Sequence, residues 1–229
     1  MEIFSAGGAE MLGRWAHYFA GVAWIGMLWF FNFVQGGWFK TTDADTKNNA
    51  VKQMVPNALW WFRWGAMFTF LSGVYLLWHR ADQIGMSNLG SSPWTVWIMV
   101  GALMGTFMFL NVWLIIWPAQ KIIIGKANGE DLGDAADAAA RAGVASRTNT
   151  LFSIPMLFMM GAASHMPIKV AQTGVWPAIG VCSAIILLIE INAAFFPKKM
   201  GPMASVRGVI TSGVVLCVVQ YLVIDLLCN

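Results

Sequence analysis

Residues 11–35 read MLGRWAHYFAGVAWIGMLWFFNFVQ, and this stretch decides the fold. It is long and apolar enough to meet the ~20 residues that a helix needs to cross a bilayer. His17 lies about one turn into the run. Gly21 follows one turn later, and Trp24 about one turn beyond that. Residues i and i+4 share a helix face, so Gly21 leaves a flat notch beside the imidazole. A histidine inside a lipid-embedded segment is costly and calls for a reason. An imidazole next to a notch suits the edge of a porphyrin. A histidine hydrogen-bonded to a neighbouring helix is the plainer alternative.

The rest of the chain has the same character. Of its 229 residues 58% are hydrophobic and 11% charged, against about 25% charged in a soluble domain. The mean hydropathy is +0.64. These values predict an all-α polytopic membrane helix bundle, a single transmembrane domain over residues 1–229. About six transmembrane helices are expected, at 11–35, 56–79, 93–117, 149–165, 175–196 and 206–227. Pro56 suits the first turn of the second. The alanine-rich, amphipathic segment 130–146 reads as a cytoplasmic helix leading into the fourth. The start, MEIFSAGGAEM, lacks the basic region and cleavage site of a signal peptide, so the first helix is expected to be retained. Gly101 and Gly105 form a small-xxx-small pair that predicts close packing around the third helix.

Charge alternates between the connections. Lys40, Lys47, Lys52, Lys121, Lys126, Arg141, Arg147, Lys198, Lys199 and Arg207 fall on one side. The other side carries only Arg14, Arg80 and Lys169. The positive-inside rule makes the first side cytoplasmic, so both termini are expected to be periplasmic, in a bacterial inner membrane. The net charge of +3 follows this topology and points to no nucleic acid. Trp15, Trp38, Trp78, Trp94, Trp117 and Trp176 lie near the expected helix ends as an aromatic belt.

With that orientation His17, His79 and His165, all the histidines of the chain, fall near the periplasmic face. His165 has Gly161 one turn toward the interior, the counterpart of Gly21 beside His17. Two such helices could hold a b-type haem through two imidazoles, with Arg14 and Lys169 placed to meet its propionates or simply to snorkel. His79 has the bulkier Tyr75 at i−4 and reads as interfacial. Copper is the competing metal, because His165–Met166 sets an imidazole beside a thioether. Cys182, Cys217 and Cys228 have no metal-ligand spacing, and no C-x-x-C-H motif exists for a covalent haem. Toward the cytoplasm, Arg63 and Glu190 would both sit roughly 10 Å inside the boundary at ~1.5 Å per residue. They are expected to form an intramembrane polar pair, either functional or structural. Asn111, Asn149, Asn192 and Gln120 could join the same polar interior.

Four blocks resemble one family. RWAHYFAGVAWIG (14–26), VPNALWWFRWGAMFTFLSG (55–73), GTFMFLNVWLIIWPAQK (105–121) and SRTNTLFSIPMLFMMGAASHMP (146–167) are similar, in that order, to the N-terminal membrane domain of the cytochrome-c-linked membrane urate oxidases. The first and fourth blocks also distantly resemble haem-binding bacterial protoporphyrinogen oxidases, which implies haem ligation by His17. The chain departs from the urate oxidase pattern at three positions. Gln35 stands in place of a histidine, Gly65 in place of an acid and Thr148 in place of a histidine. The sequence stops at Asn229, two residues past the sixth expected helix, so a fused cytochrome c domain is not expected in it. The resemblance therefore implies an electron-transfer subunit, a b-type cytochrome that does not itself oxidise urate. A separate periplasmic cytochrome c or a larger membrane enzyme complex would be its partner. A non-catalytic structural subunit and a copper-handling protein are the alternatives.

Overall fold

The computed structural model describes residues 2–166, 174–195 and 200–229. Among them every regular element is helical and no strand occurs. Helix α1 (Ala6–Trp29) passes through a π-turn (Phe30–Gln35) into α2 (Gly36–Thr41), making one continuous rod. Helix α3 covers Ala44–Ile84. Helix α4 (Pro93–Leu110) passes through a second π-turn (Asn111–Ile116) into α5 (Trp117–Ala127). Then follow α6 (Ala135–His165), α7 (Val175–Phe195) and α8 (Val206–Cys228).

The helices outrun the apolar stretches, because hydropathy marks contact with lipid and hydrogen bonding marks the helix. The second helix starts at Ala44, not near residue 56. The Asp43 carboxylate caps it by accepting the Thr46 N–H at 2.9 Å. That bond holds the Asp43 carboxyl below the usual carboxylate range. Pro56 consequently lies inside a helix rather than in its first turn. The segment expected at 130–146 and the span expected at 149–165 form one helix, α6, capped by Asp134 on the amides of Ala136 and Asp137.

Among the described residues four stretches are long and apolar enough to cross a membrane, at 7–41, 93–127, 175–195 and 206–228. Helices α3 and α6 are long enough but more polar. Large apolar side chains such as Val22, Phe68, Leu114, Leu188 and Val215 are exposed. An apolar outer surface of this extent suits a lipid bilayer.

The helices alternate in direction. The Glu10 carboxylate on α1 meets His79 on α3. The Met108 carbonyl on α4 accepts from Asn149 on α6, and a Cβ on Gly90, just before α4, would sit 3.0 Å from Trp176 near the start of α7. His17, His79 and His165 therefore lie at one end of the bundle. Helix α3 packs chiefly on α1, and α6 is the central helix, touching α4, α5 and α8. The α1–α3 crossing depends on Gly65, where an added Cβ would lie 3.0 Å from Trp24 N and 3.2 Å from Ala20 O. Gly101 meets α6 closely, 3.1 Å from Met159 Cβ, whereas Gly105 faces open space, so only one glycine of that pair serves packing. The core is filled by Trp97, Phe62, Phe152, Met104, Met108 and Met159, all buried. Three of these, Trp97, Met104 and Met108, lie on one side of α4 and point into the core.

Candidate functional site

His17 is half-buried in the seam between α1 and α3. Its Nδ1 lies 3.1 Å from Ser72 Oγ. Ser72 has one hydroxyl proton, and the Phe68 carbonyl oxygen sits 2.6 Å from the same Oγ, with that of Thr69 at 3.1 Å. A carbonyl can only accept, so the hydroxyl donates backwards into its own helix. Ser72 Oγ then accepts from His17, which places the imidazole proton on Nδ1 and leaves Nε2 with a bare lone pair. Anchoring one ring nitrogen to free the other is how proteins orient histidine ligands and bases.

The notches differ from expectation. A Cβ on Gly21 would lie 3.9 Å from the Thr69 side chain, an ordinary contact, so α3 already fills the space beside His17. The other flank is tighter, since a Cβ on Gly73 would come within 3.1 Å of His17 Cε1. Gly161, by contrast, has nothing among the described residues within 4 Å of its Cβ position. His165, the last residue of α6, is exposed and makes no hydrogen bond among the described residues. No contact among the described residues joins it to His17. Lys169 lies outside the described residues. Trp24 is buried, and its Nε1 has no partner.

Arg14 is engaged by an acid on its own helix. Its Nη2 pairs with Glu10 Oε1 at 2.6 Å. The other Glu10 oxygen accepts from Gln83 Nε2 at 3.1 Å and lies 3.5 Å from His79 Nε2. His79 stacks on Tyr75 with centroids 5.8 Å apart. Glu10, Arg14, His79 and Gln83 thus form a polar clasp that ties the start of α1 to the end of α3.

A second polar group occupies the middle of the bundle. Asn111 Nδ2 donates to Asn149 Oδ1 at 2.9 Å and to Glu190 Oε2 at 3.3 Å. Asn149 in turn donates to the Met108 carbonyl at 2.9 Å. Nearby on α6, Ser146 Oγ accepts from Asn32 at 2.7 Å and Ser153 Oγ from Trp29 Nε1 at 2.9 Å. Asn32 and Asn111 both sit in the π-turns, which rotate a side chain out of the regular helical register. Arg63 does not take part. It lies over the Trp117 ring, 3.8 Å from the centroid, so the expected Arg63–Glu190 pair is not formed. The two charges face different helices. Gln120 is half-buried and Asn192 exposed, and neither joins the group.

Sequence reasoning missed both π-turns and Asn32. A lone asparagine inside each long apolar run was the available signal. The positions where the chain departs from the resembled pattern, Gln35, Gly65 and Thr148, are all buried. Met166 is half-buried and packs against the core. No group of three or more His, Cys, Asp or Glu residues able to hold a metal occurs among the described residues.

The family model described as urate oxidase N-terminal matches residues 86–225, more than half of the chain. The matched region contains Asn111, Asn149, His165 and Glu190, and begins after His17 and Arg63. No curated protein and no solved structure matches.

Proposed function

The chain belongs to the urate oxidase N-terminal family, and from that premise we propose that it is the membrane-embedded electron-transfer component of an oxidoreductase, a b-type cytochrome. His17 and His165 would hold the haem in this reading, near the expected periplasmic end of the bundle. A periplasmic cytochrome c or a larger membrane enzyme complex is the redox partner. One observation carries the reading. Ser72 fixes the His17 proton on Nδ1 and presents Nε2 as a donor. A neutral imidazole with one anchored nitrogen has the donor chemistry that haem iron takes. When bound, the haem would supply a one-electron carrier.

The residues present divide the remaining work. The clasp of Glu10, Arg14, His79 and Gln83 holds α1 and α3 in register, and so keeps Ser72 opposite His17. The open space beside Gly161 is the side on which a flat group can lie, since Thr69 fills the place beside Gly21. Urate itself is not the substrate of this chain alone in our reading. The buried positions 35, 65 and 148 carry an amide, a glycine and a threonine, none of which titrates in the range that acid–base work needs. The ten basic residues of the alternate connections favour an inner-membrane topology with both termini outside. Exposed Trp60, Trp61, Phe68 and Leu71 on α3 favour a lipid-facing helix there as well.

A structural subunit is the second reading. It is favoured by the filled Gly21 notch, which makes His17 a tie between two helices. A reduced-minus-oxidised optical spectrum of the purified protein separates the two. The cytochrome reading predicts sharp low-spin b-type bands in wild type, lost or turned high-spin in His17→Ala and in His165→Ala. A well-folded wild-type preparation with no haem bands would leave the structural reading standing.

A further inference from the structure

Arg63 presents a problem that the redox reading does not absorb. It lies within a long helix, its Nε is buried, and that nitrogen has no hydrogen-bond partner. No carboxylate pairs with it among the described residues; the ion pairs there are Arg14–Glu10, His79–Glu10 and Arg141–Asp137. Arg63 as a whole is half-buried, and a buried donor nitrogen left without an acceptor is costly, so such groups ordinarily find a partner.

What surrounds Arg63 suggests the compensation. Its guanidinium lies over Trp117, 3.8 Å from the ring centroid. One turn further along α5, Lys121 Nζ lies 5.9 Å from the same ring. The two cations border a groove of about 410 Å³ between α3 and α5. Asn128 adds an amide and Glu130 one acid, while Pro56, Ile124 and Leu132 supply apolar wall. Two cations against one acid leave the groove positive. The Arg fork with an adjacent Lys is the donor set that recognises phosphate oxygens. The groove opens at the end of the bundle where Lys47, Lys52 and Lys126 lie, which on the positive-inside rule is the headgroup level of the cytoplasmic leaflet.

We propose that the α3–α5 groove is a phosphate-binding site, with Arg63 and Lys121 as the anion's partners and Trp117 holding the Arg63 fork in place. The phosphate can belong to an anionic lipid headgroup or be a free phosphate. The site does not depend on haem binding, and its test uses no redox readout.

The test is the thermal unfolding midpoint of the full chain in detergent, titrated with phosphatidylglycerol, phosphatidylcholine or inorganic phosphate. Phosphatidylglycerol should raise the midpoint where phosphatidylcholine does not, if the source is lipid. Inorganic phosphate should reproduce the rise if the source is a free ion. In either case Lys121→Gln and Arg63→Gln should weaken the apparent affinity about tenfold, the size expected for one charge-assisted hydrogen bond. Glu130→Gln should strengthen it. Lys47→Gln and Lys52→Gln, outside the groove, should leave it unchanged. If Arg63→Gln does not fold, the opposite shifts of Lys121→Gln and Glu130→Gln decide the matter. No response to either phosphate source, or an equal response in the Lys47 and Lys121 variants, would overturn the proposal.

Discussion

Ser72 decides what His17 can do. Its hydroxyl donates to the carbonyls of Phe68 and Thr69 and so has only a lone pair to offer the imidazole. Ser72→Ala removes that acceptor while leaving His17 in its seam. On the cytochrome reading the altered protein should still take up haem, because Nε2 remains, but with a shifted midpoint potential and a broadened spectrum as the ring loses its anchor. Redox titration of the wild type and the variant checks this, and an unchanged potential would show that Ser72 does not orient the ligand. Residue identity was legible here and partnership was not. His17 could be picked out as an imidazole in an apolar run, but the sequence carries no mark that Ser72, fifty-five positions later, would be its neighbour. The Arg14–Glu10 pair was hidden for the same reason, since the acid lies one turn back, at a point where the chain still reads as a polar lead-in.

At the scale of elements, helix existence was legible and helix extent was not. Runs such as 93–117 and 206–227 declare themselves because lipid contact demands apolar side chains all round. The polar extensions, from Ala44 toward Pro56 and from Ala135 to Ser146, carry no such demand and follow from caps and propensity. The π-turns at Phe30–Gln35 and Asn111–Ile116 are set by the polar contacts of Asn32 and Asn111 with α6, which no local pattern encodes. Glycines sort by crossing geometry rather than by spacing. Gly65→Val should open the α1–α3 seam, because its first carbon already meets the Trp24 backbone at 3.0 Å. Overpacking of this kind costs about 1–3 kcal/mol. Gly105→Val, facing open space, should be nearly neutral. Unfolding of both variants in mixed micelles compares them directly, and equal losses would contradict the crossing described here.

For the whole molecule, the central fact is the alternation in direction of the long rods among the described residues, which brings the three histidines to one end. Topology fusions test the sidedness. An alkaline phosphatase fused after Asn229 should be active, and one fused after Asn128 inactive; the reverse pattern would invert the molecule and set the histidines against the cytoplasm. The polar chain of Asn111, Asn149 and half-buried Glu190 ties the α4–α5 rod, α6 and α7 together in the middle. In the proposed reading the two ends then serve separately, one for a redox group at His17 and one for an anion at Arg63.

The most direct test of the redox account is the protonation state of His17 itself. In protein labelled with ¹⁵N-histidine and stripped of bound groups, the nitrogen shifts of His17, assigned by their loss in His17→Gln, report which nitrogen carries the proton. The account predicts a protonated Nδ1 and a bare Nε2. A proton on Nε2 would contradict it, for then Ser72 would be the donor to the ring, and the atom offered to the iron would be closed.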